Sequence, residues 1–329
     1  MLTEARPLLS RVADALYWMA RYIERAENVA RSIEVNFYLQ LDMPGHGANQ
    51  WAPLVQTSGD GEIFQQRIGQ ATQANAIEFL ALDTANLNSI VSCLRAGREN
   101  ARSVRDTISS EMWEQINSMY LRVQERKSGE GSHPEFFRGI RMECHMFQGI
   151  TDSTMSHNEA WHFACFGRQM ERADKTSRIL DVKYFMLLPT PSSVGTPYDD
   201  LHWGAVLKSV SGFEMYRQRH GRMTPRDIVD FLVLDRDFPR SIHHSVSGAD
   251  DALHAITGTP RGWFKCESEQ ALGRLRAELD YAGVEKIIAD GLHEYLDTLQ
   301  VKLNNVGELL LHDFFTSRTA PATSETGTR

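Results

Sequence analysis

From Ser10 to about Leu41, apolar residues recur three or four positions apart: Leu16, Met19, Ile23, Ala26, Ala30, Ile33 and Phe37. Among regular backbones, only a helix gathers that spacing on one face. The same pattern predicts helices over about 74–82, 87–104, 107–126, 134–149, 157–187, 202–219, 225–233, 239–256, 268–289 and 291–314. Strand-like alternation between turn residues is scarce, so the expected fold is all-α, a multi-helix bundle. Gly, Pro, Ser and Asp concentrate at 42–62, 126–134 and 189–200, which read as loops. Trp51 suggests that the first of these packs against the body. Residues 316–329 lack bulky apolar side chains and read as a disordered tail.

The polar positions repeat. Residues 21–41 align with 168–188 at a constant offset of 147. Identities fall at Arg21/Arg168, Glu24/Glu171, Arg25/Arg172, Ala26/Ala173, Arg31/Arg178, Val35/Val182 and Leu41/Leu188. A second block follows in both places: "FLALDTANLNSI" from Phe79 and "FLVLDRDFPRSI" from Phe231, each F-L-x-L-D, five residues, then S-I. Two blocks in the same order imply an internal duplication, with units too long for a solenoid. The expected organisation is a first helical repeat over 1–150 and a second over 151–315, packed as one domain about a pseudo-twofold axis.

At 100° per residue, Arg21, Arg25 and Asn28 share one arc, with Glu24 and Arg31 beside it and Tyr22, Ile23, Ala26, Val29 and Ile33 roughly opposite. Exposed Glu–Arg pairs contribute only about 0–1 kcal/mol, which restrains drift weakly. Yet four of the seven identities between the copies are charged. The charged face is therefore expected to meet something: another helix, the other half, a partner or an anionic ligand. A structural role and a binding or catalytic role both stay open. "RENARSVRD" adds Arg98, Arg102 and Arg105 at i, i+4 and i+7, a basic stripe suited to carboxylate or phosphate or else a salt-bridged surface. Ser109 or Ser110 is placed to cap the next helix, with Glu111 in its first turn.

Bulk properties narrow the field. The 329 residues are 42% hydrophobic and 24% charged, enough apolar matter for a packed core. A net charge of -8 argues against general nucleic-acid binding. No apolar run approaches about 18 residues, so no membrane span is expected, and the first residues do not read as a signal peptide. Cys93, Cys144, Cys165 and Cys266 are scattered without a C-x-x-C pair, which fits free thiols in a cytoplasm.

Four stretches together resemble the bacterial alpha-E family: "LLSRVADALYWMARYIERAENVARSIEVN", "SIVSCLRAGRENARSVRDTISSEMWEQIN", "FGRQMERADKTSRILDVKYFMLLP" and "FLVLDRDFPRSI". The resemblance runs from about Leu9 to Phe315. It implies an all-helical domain named for a Glu-Arg motif, which maps to Glu24-Arg25 and Glu171-Arg172. It also implies association with a circularly permuted ATP-grasp protein and often a transglutaminase-like peptidase. The implied setting is peptide or amide-bond synthesis or modification.

Signatures of phosphate loops, dinucleotide folds and hydrolase elbows are absent, so no cofactor is expected. A di-iron bundle needs E-x-x-H on paired helices. "EAWH" supplies Glu159 and His162, but the matched positions are Val12 and Ala15. "DDLH" at 199–202 and "DDALH" at 250–254 also set Asp before His, and His243 and His244 diverge on a helix. No metal is expected. Cys165, between Phe163 and Phe166, reads as buried rather than reactive, and Trp18, Trp113, Trp161 and Trp203 as core. Two functions compete: an accessory partner of the ligase and peptidase, or an enzyme using Glu24 or Glu171 as base and the arginines as anion clamps. Either leaves room for a homo-oligomer.

Overall fold

A computed structural model describes residues 8–42, 50–126, 134–187 and 197–316, and no strand occurs among them. The expected loop at 126–134, most of that at 189–200 and the tail fall largely outside the described residues.

The longest helix, α1 (Ser10–Asp42), contains no Gly or Pro in 33 residues. It is followed by α2 (Trp51–Ser58), α3 (Gly61–Arg67) and α4 (Gln73–Ile77), which runs into a π-helical turn at Glu78–Leu82. Next come α5 (Ile90–Ser103), α6 (Ser110–Gln124), α7 (Pro134–Thr154) and α8 (Glu159–Leu187). The chain continues through α9 (Pro197–Ser209), α10 (Phe213–Arg219), α11 (Pro225–Val233), α12 (Ile242–Thr257), α13 (Glu267–Asp280), α14 (Val284–Asp290) and α15 (Leu292–Leu310).

Most predicted helices are found close to their expected limits. The long stretch 42–62 is not simply a loop: it holds α2, whose Trp51 and Leu54 are buried. Eight residues are too few to show a helical period beside the turn-rich flanks. The helix expected over 202–219 breaks at Ser211, which takes φ 54°, followed by Gly212. A Cβ on Gly212 would lie 2.9 Å from the Phe238 ring, so the break tucks backbone against the core. The helix expected over 268–289 also divides, into α13 and α14. Of the four tryptophans assigned to the core, only Trp203 is fully buried; Trp18, Trp113 and Trp161 are half-buried.

Packing follows the same order along both parts of the chain. Helix α1 packs on α5 and α7, and α8 packs on α12 and α15. Helix α2 crosses to α8, and α9 crosses to α1. Ser89 caps α5 by accepting the Ser92 N–H, and Ser241 caps α12 by accepting the His244 N–H. These are the serines of the two F-L-x-L-D…S-I blocks. Ser109 caps α6 as expected, accepting the Met112 N–H. Two large apolar clusters result, one built from residues 13–163 and the other from Tyr17 and residues 165–310, with a small third where Leu39 meets Ala205. Helices α1 and α8 lie in contact at the seam.

Their approach is set by Gly167. A Cβ there would lie 2.3 Å from the Tyr17 carbonyl oxygen, a backbone atom that cannot turn aside. Gly167→Ala should therefore push α8 off α1 and cost about 1–3 kcal/mol. Gly149 in α7 has no atom within 4 Å of the same probe position, so Gly149→Ala should be neutral or stabilising. Urea unfolding of both variants checks the opposite signs; equal behaviour would contradict the close approach.

Candidate functional site

Where α1 crosses α8, each helix brings an adjacent Glu and Arg. Neighbouring residues on a helix point about 100° apart, so on each helix the Glu and Arg can take different partners opposite. The pairs exchange. Arg25 donates through Nε to Glu171 Oε1 at 2.6 Å and through NH2 to Oε2 at 2.9 Å, a two-pronged grip. Arg172 donates through Nε to Glu24 Oε1 at 3.0 Å. The motif of each helix is thus completed by the other.

Both carboxylates are entirely buried, whereas the Arg25 and Arg172 side chains keep 14% and 12% exposure. Further donors surround them. Glu171 accepts Arg21 Nε at 2.8 Å, and Arg21 also reaches the Tyr17 hydroxyl at 2.8 Å. Glu24 accepts Gln148 Nε2 at 2.7 Å and Arg240 NH1 at 2.7 Å. Arg240 spans to Glu27 Oε2 at 3.1 Å, and Glu27 also holds Arg31 at 2.5 Å and His145 at 3.1 Å. Arg31 donates Nε to the Ser209 carbonyl at 2.7 Å, fastening α1 to the end of α9. On the other flank Arg25 NH1 bonds Asn88 at 2.6 Å, and Asn88 bonds Asp60 at 2.8 Å.

Burial alone would raise the Glu24, Glu27 and Glu171 carboxyls. The guanidinium groups overcome it: Arg172 and Arg240 at Glu24, Arg240 and Arg31 at Glu27, Arg25 and Arg21 at Glu171. All three end below their ordinary value and stay ionised. A cavity beside Arg25, lined also by Asn28, Ser58, Asn88 and Lys175, holds about 20 Å³, room for roughly one water. The guanidinium groups of Arg25 and Arg172 are thus closed on partner carboxylates and do not converge on an open cleft. Five guanidinium groups (Arg21, Arg25, Arg31, Arg172, Arg240) still face three carboxylates, so the network carries surplus positive charge.

Of the candidate residues, Arg21, Glu24, Arg25, Arg31, Glu171 and Arg172 meet in this network. Arg178 pairs with Asp174 at 3.0 Å, the counterpart of Arg31 with Glu27, but stays on the flank. Arg168 does not reach the opposite Glu as Arg21 does. It reaches Asp152 at 3.5 Å and Cys165 Sγ at 3.5 Å, while Gln148 bonds Glu24. Arg98, Arg102 and Arg105 form no stripe on one helix, because α5 ends at Ser103. Arg98 bonds Asn117 and Glu99 and lies over Trp113 and Tyr120, Arg105 lies over Trp113, and exposed Arg102 pairs with Glu99. They are a separate, largely solvent-facing cluster.

Sequence reasoning missed Arg240, Asn88, Gln148 and Glu27. A signal existed for two of them: Asn88 and Arg240 hold the same place in the repeated block, one residue before the capping serine, and each bonds one member of the motif. Burial pushes the Cys165 thiol up to about 11, so it is an inert core group. Glu159 accepts the Leu8 N–H at 3.1 Å, and no cluster of three or more His, Cys, Asp or Glu suited to a metal occurs among the described residues.

Fold and site together define an all-helical domain whose central helices are joined through a reciprocal Glu-Arg motif. The Alpha-E family model, described as a predicted alpha-helical domain with a conserved ER motif, matches residues 8–315, and the chain belongs to that family. It is similar to uncharacterized proteins of Mycobacterium bovis and of two Mycobacterium tuberculosis strains, each 21% identical over 330 residues. The match covers 91% of this chain but 36% of each relative, so the chain spans about a third of their length. No solved structure matches. No helix among the described residues is long and apolar enough to cross a membrane.

Glu171→Gln leaves Arg21 and Arg25 without their counter-charge and should cost about 3–5 kcal/mol. In a double-mutant cycle with Arg25→Gln, the two losses should miss additivity by about 0.5–3 kcal/mol; additive urea-unfolding values would deny the pair its role.

Acid should act on the same groups. Their folded pKa values lie below the ordinary 4.5, so the unfolded chain binds more protons as pH falls. Their contribution is complete above about pH 4.5 and is lost as pH drops through the depressed folded values. Thermal unfolding from pH 7 to pH 2 should show this loss, and it should shrink in Glu24→Gln/Glu171→Gln. An undiminished slope in that variant would place the titrating groups elsewhere.

Proposed function

We propose that the chain is an accessory helical module that works with a circularly permuted ATP-grasp ligase in peptide or amide-bond synthesis or modification. It binds the ligase and helps present its substrate, with a transglutaminase-like peptidase as a further partner. The observation that carries this reading is the length of the relatives, in which the same domain accounts for 36% of a longer chain. A domain joined to other matter in one polypeptide fits a module acting beside a second protein in another. The closed site agrees, since Glu24 and Glu171 are fully buried and engaged by guanidinium groups. A general base must reach its proton directly or through one water. We further read the parallel packing of the two helix sets as the product of one duplication. Free thiols at Cys93, Cys144, Cys165 and Cys266 accord with work in the cytoplasm.

A second reading, an enzyme of the same pathway, draws on the surplus of guanidinium groups, which would favour an anionic substrate if the crossing opened. Co-expression with a circularly permuted ATP-grasp protein separates the two. The accessory reading expects a stable complex whose product forms with both wild type and a folded Glu24→Gln/Glu171→Gln variant. Loss of product with complex and fold intact would favour the enzyme. Absence of any complex, with ligase activity indifferent to the chain, would sink the accessory reading.

A further inference from the structure

Away from the Glu-Arg crossing, α12, α13 and the turn joining them enclose a groove of about 580 Å³. That is within the usual size of small-molecule sites. Its rim is aromatic and faces water: Trp263 is 74% exposed, Phe264 56% and Tyr281 91%. Its floor is acidic and buried, with Asp250 1% and Glu269 2% exposed.

The turn is built to hold those rings outward. Gly262 takes φ 85° at the third position of a turn closed by the Trp263 N–H on the Pro260 carbonyl at 3.1 Å. A positive φ there suits a type II turn and favours glycine. From below, the Glu269 carboxylate accepts the Lys265 N–H at 2.6 Å and the Thr257 hydroxyl, while Lys265 Nζ reaches the Thr257 carbonyl at 3.0 Å. The exposure of Trp263 and Phe264 is the outcome of this anchored turn, and Tyr281 stands at the C-terminal end of α13.

The floor is incompletely satisfied. The "DDALH" segment places Asp250 and His254 one turn apart on α12. Asp250 Oδ2 accepts Arg276 at 2.8 Å, but its buried Oδ1 has no hydrogen-bond donor; His254 Nε2 stands off at 3.5 Å. On the other side, His254 Nδ1 lies 3.6 Å from Glu269 Oε1 and also lacks a hydrogen bond. Asp280 is answered by Arg236, Arg276 and His243, and Arg261 is spent on Asp251, so Asp250 has Arg276 as its guanidinium and Glu269 has no Arg or Lys partner among the described residues. An ammonium or guanidinium group would bring both the missing donor and the missing charge. The rim rings offer the π faces that attract such cations. Arg274, exposed at the mouth and without an ion-pair partner among the described residues, selects against a ligand with several positive charges.

We propose that this groove binds a singly charged cationic group, a primary ammonium or a guanidinium, on a ligand whose apolar body lies against Trp263, Phe264 and Tyr281. The site stands on the groove alone and holds whether or not the ligase reading is right. The cation could belong to a free amine or to a lysine or arginine side chain of a peptide, and the probes separate these sources.

Calorimetric titration of the full chain would use n-butylammonium, N-acetyl-lysine amide, N-acetyl-arginine amide, N-acetyl-norleucine amide and N-acetyl-glutamate amide. Saturable binding of cationic probes, with none for the norleucine and glutamate probes, is the expected result. Binding of n-butylammonium as tight as the lysine probe assigns a free amine, and tighter binding of the capped residues assigns a side chain. Tyr281→Ala and Trp263→Ala, both at exposed positions, should keep the fold and weaken binding about tenfold. Asp250→Asn should abolish it, with thermal unfolding run alongside because Arg276 loses its charge partner. Failure of every cationic probe to bind, equal binding by norleucine, or full affinity in Tyr281→Ala and Trp263→Ala would overturn the proposal.

Discussion

A carboxylate removed from water must be answered by charge or it takes up a proton. Glu24 and Glu171 sit with no exposure where the two longest helices cross, and much of the architecture follows from answering them. Arg25 and Arg172 cross over, Arg21 and Arg240 add second guanidinium groups, and Gln148 fills the remaining acceptor of Glu24. Those partners arrive from α1, α7, α8 and the entry to α12, so one buried layer ties together elements from both large apolar clusters.

Such a layer does not add stability in the way an apolar contact does. Desolvation consumes much of what the ion pairs return, and a well-packed apolar seam of the same volume is often as stable. What the layer fixes is the pairing, in which each motif Glu is met by the Arg of the other helix. Gly167 brings the backbones close enough for the side chains to cross, and the crossing leaves each carboxylate ionised and closed to solvent. Surplus cations remain in the network, partly exposed at Arg21, Arg25 and Arg172.

The all-helical fold was legible because apolar period and turn residues agree over most of the chain. It failed where elements are short or where a break depends on tertiary packing: α2 around Trp51, and the breaks at Ser211 and after α13. The site was legible through the doubled Glu-Arg pair, since charged identities retained between two parts of one chain mark a restrained face. Which Glu meets which Arg was not legible, because that depends on how closely the helices cross. Asn88 and Arg240 lay in a repeat already visible, hidden by their different side chains, whereas Gln148 has no counterpart that sequence comparison within the chain could reveal. The arginines of "RENARSVRD" were half legible: Arg98 and Arg102 make the salt-bridged surface that was one of the two readings, whereas the stripe through Arg105 fails because the helix ends at Ser103.

The exchange of partners between α1 and α8 also has a mechanical side. Apolar surfaces resist being pulled apart but slide over one another with little penalty. Two opposed ion pairs, one running each way across the crossing, resist sliding along the helix axes, because a shift moves both guanidinium groups off carboxylates they bond at 2.6 to 3.0 Å. The seam is therefore stiff in shear, and a load applied to one end of α1 or α8 would be passed to the other helix as displacement of the whole body instead of being absorbed where they meet.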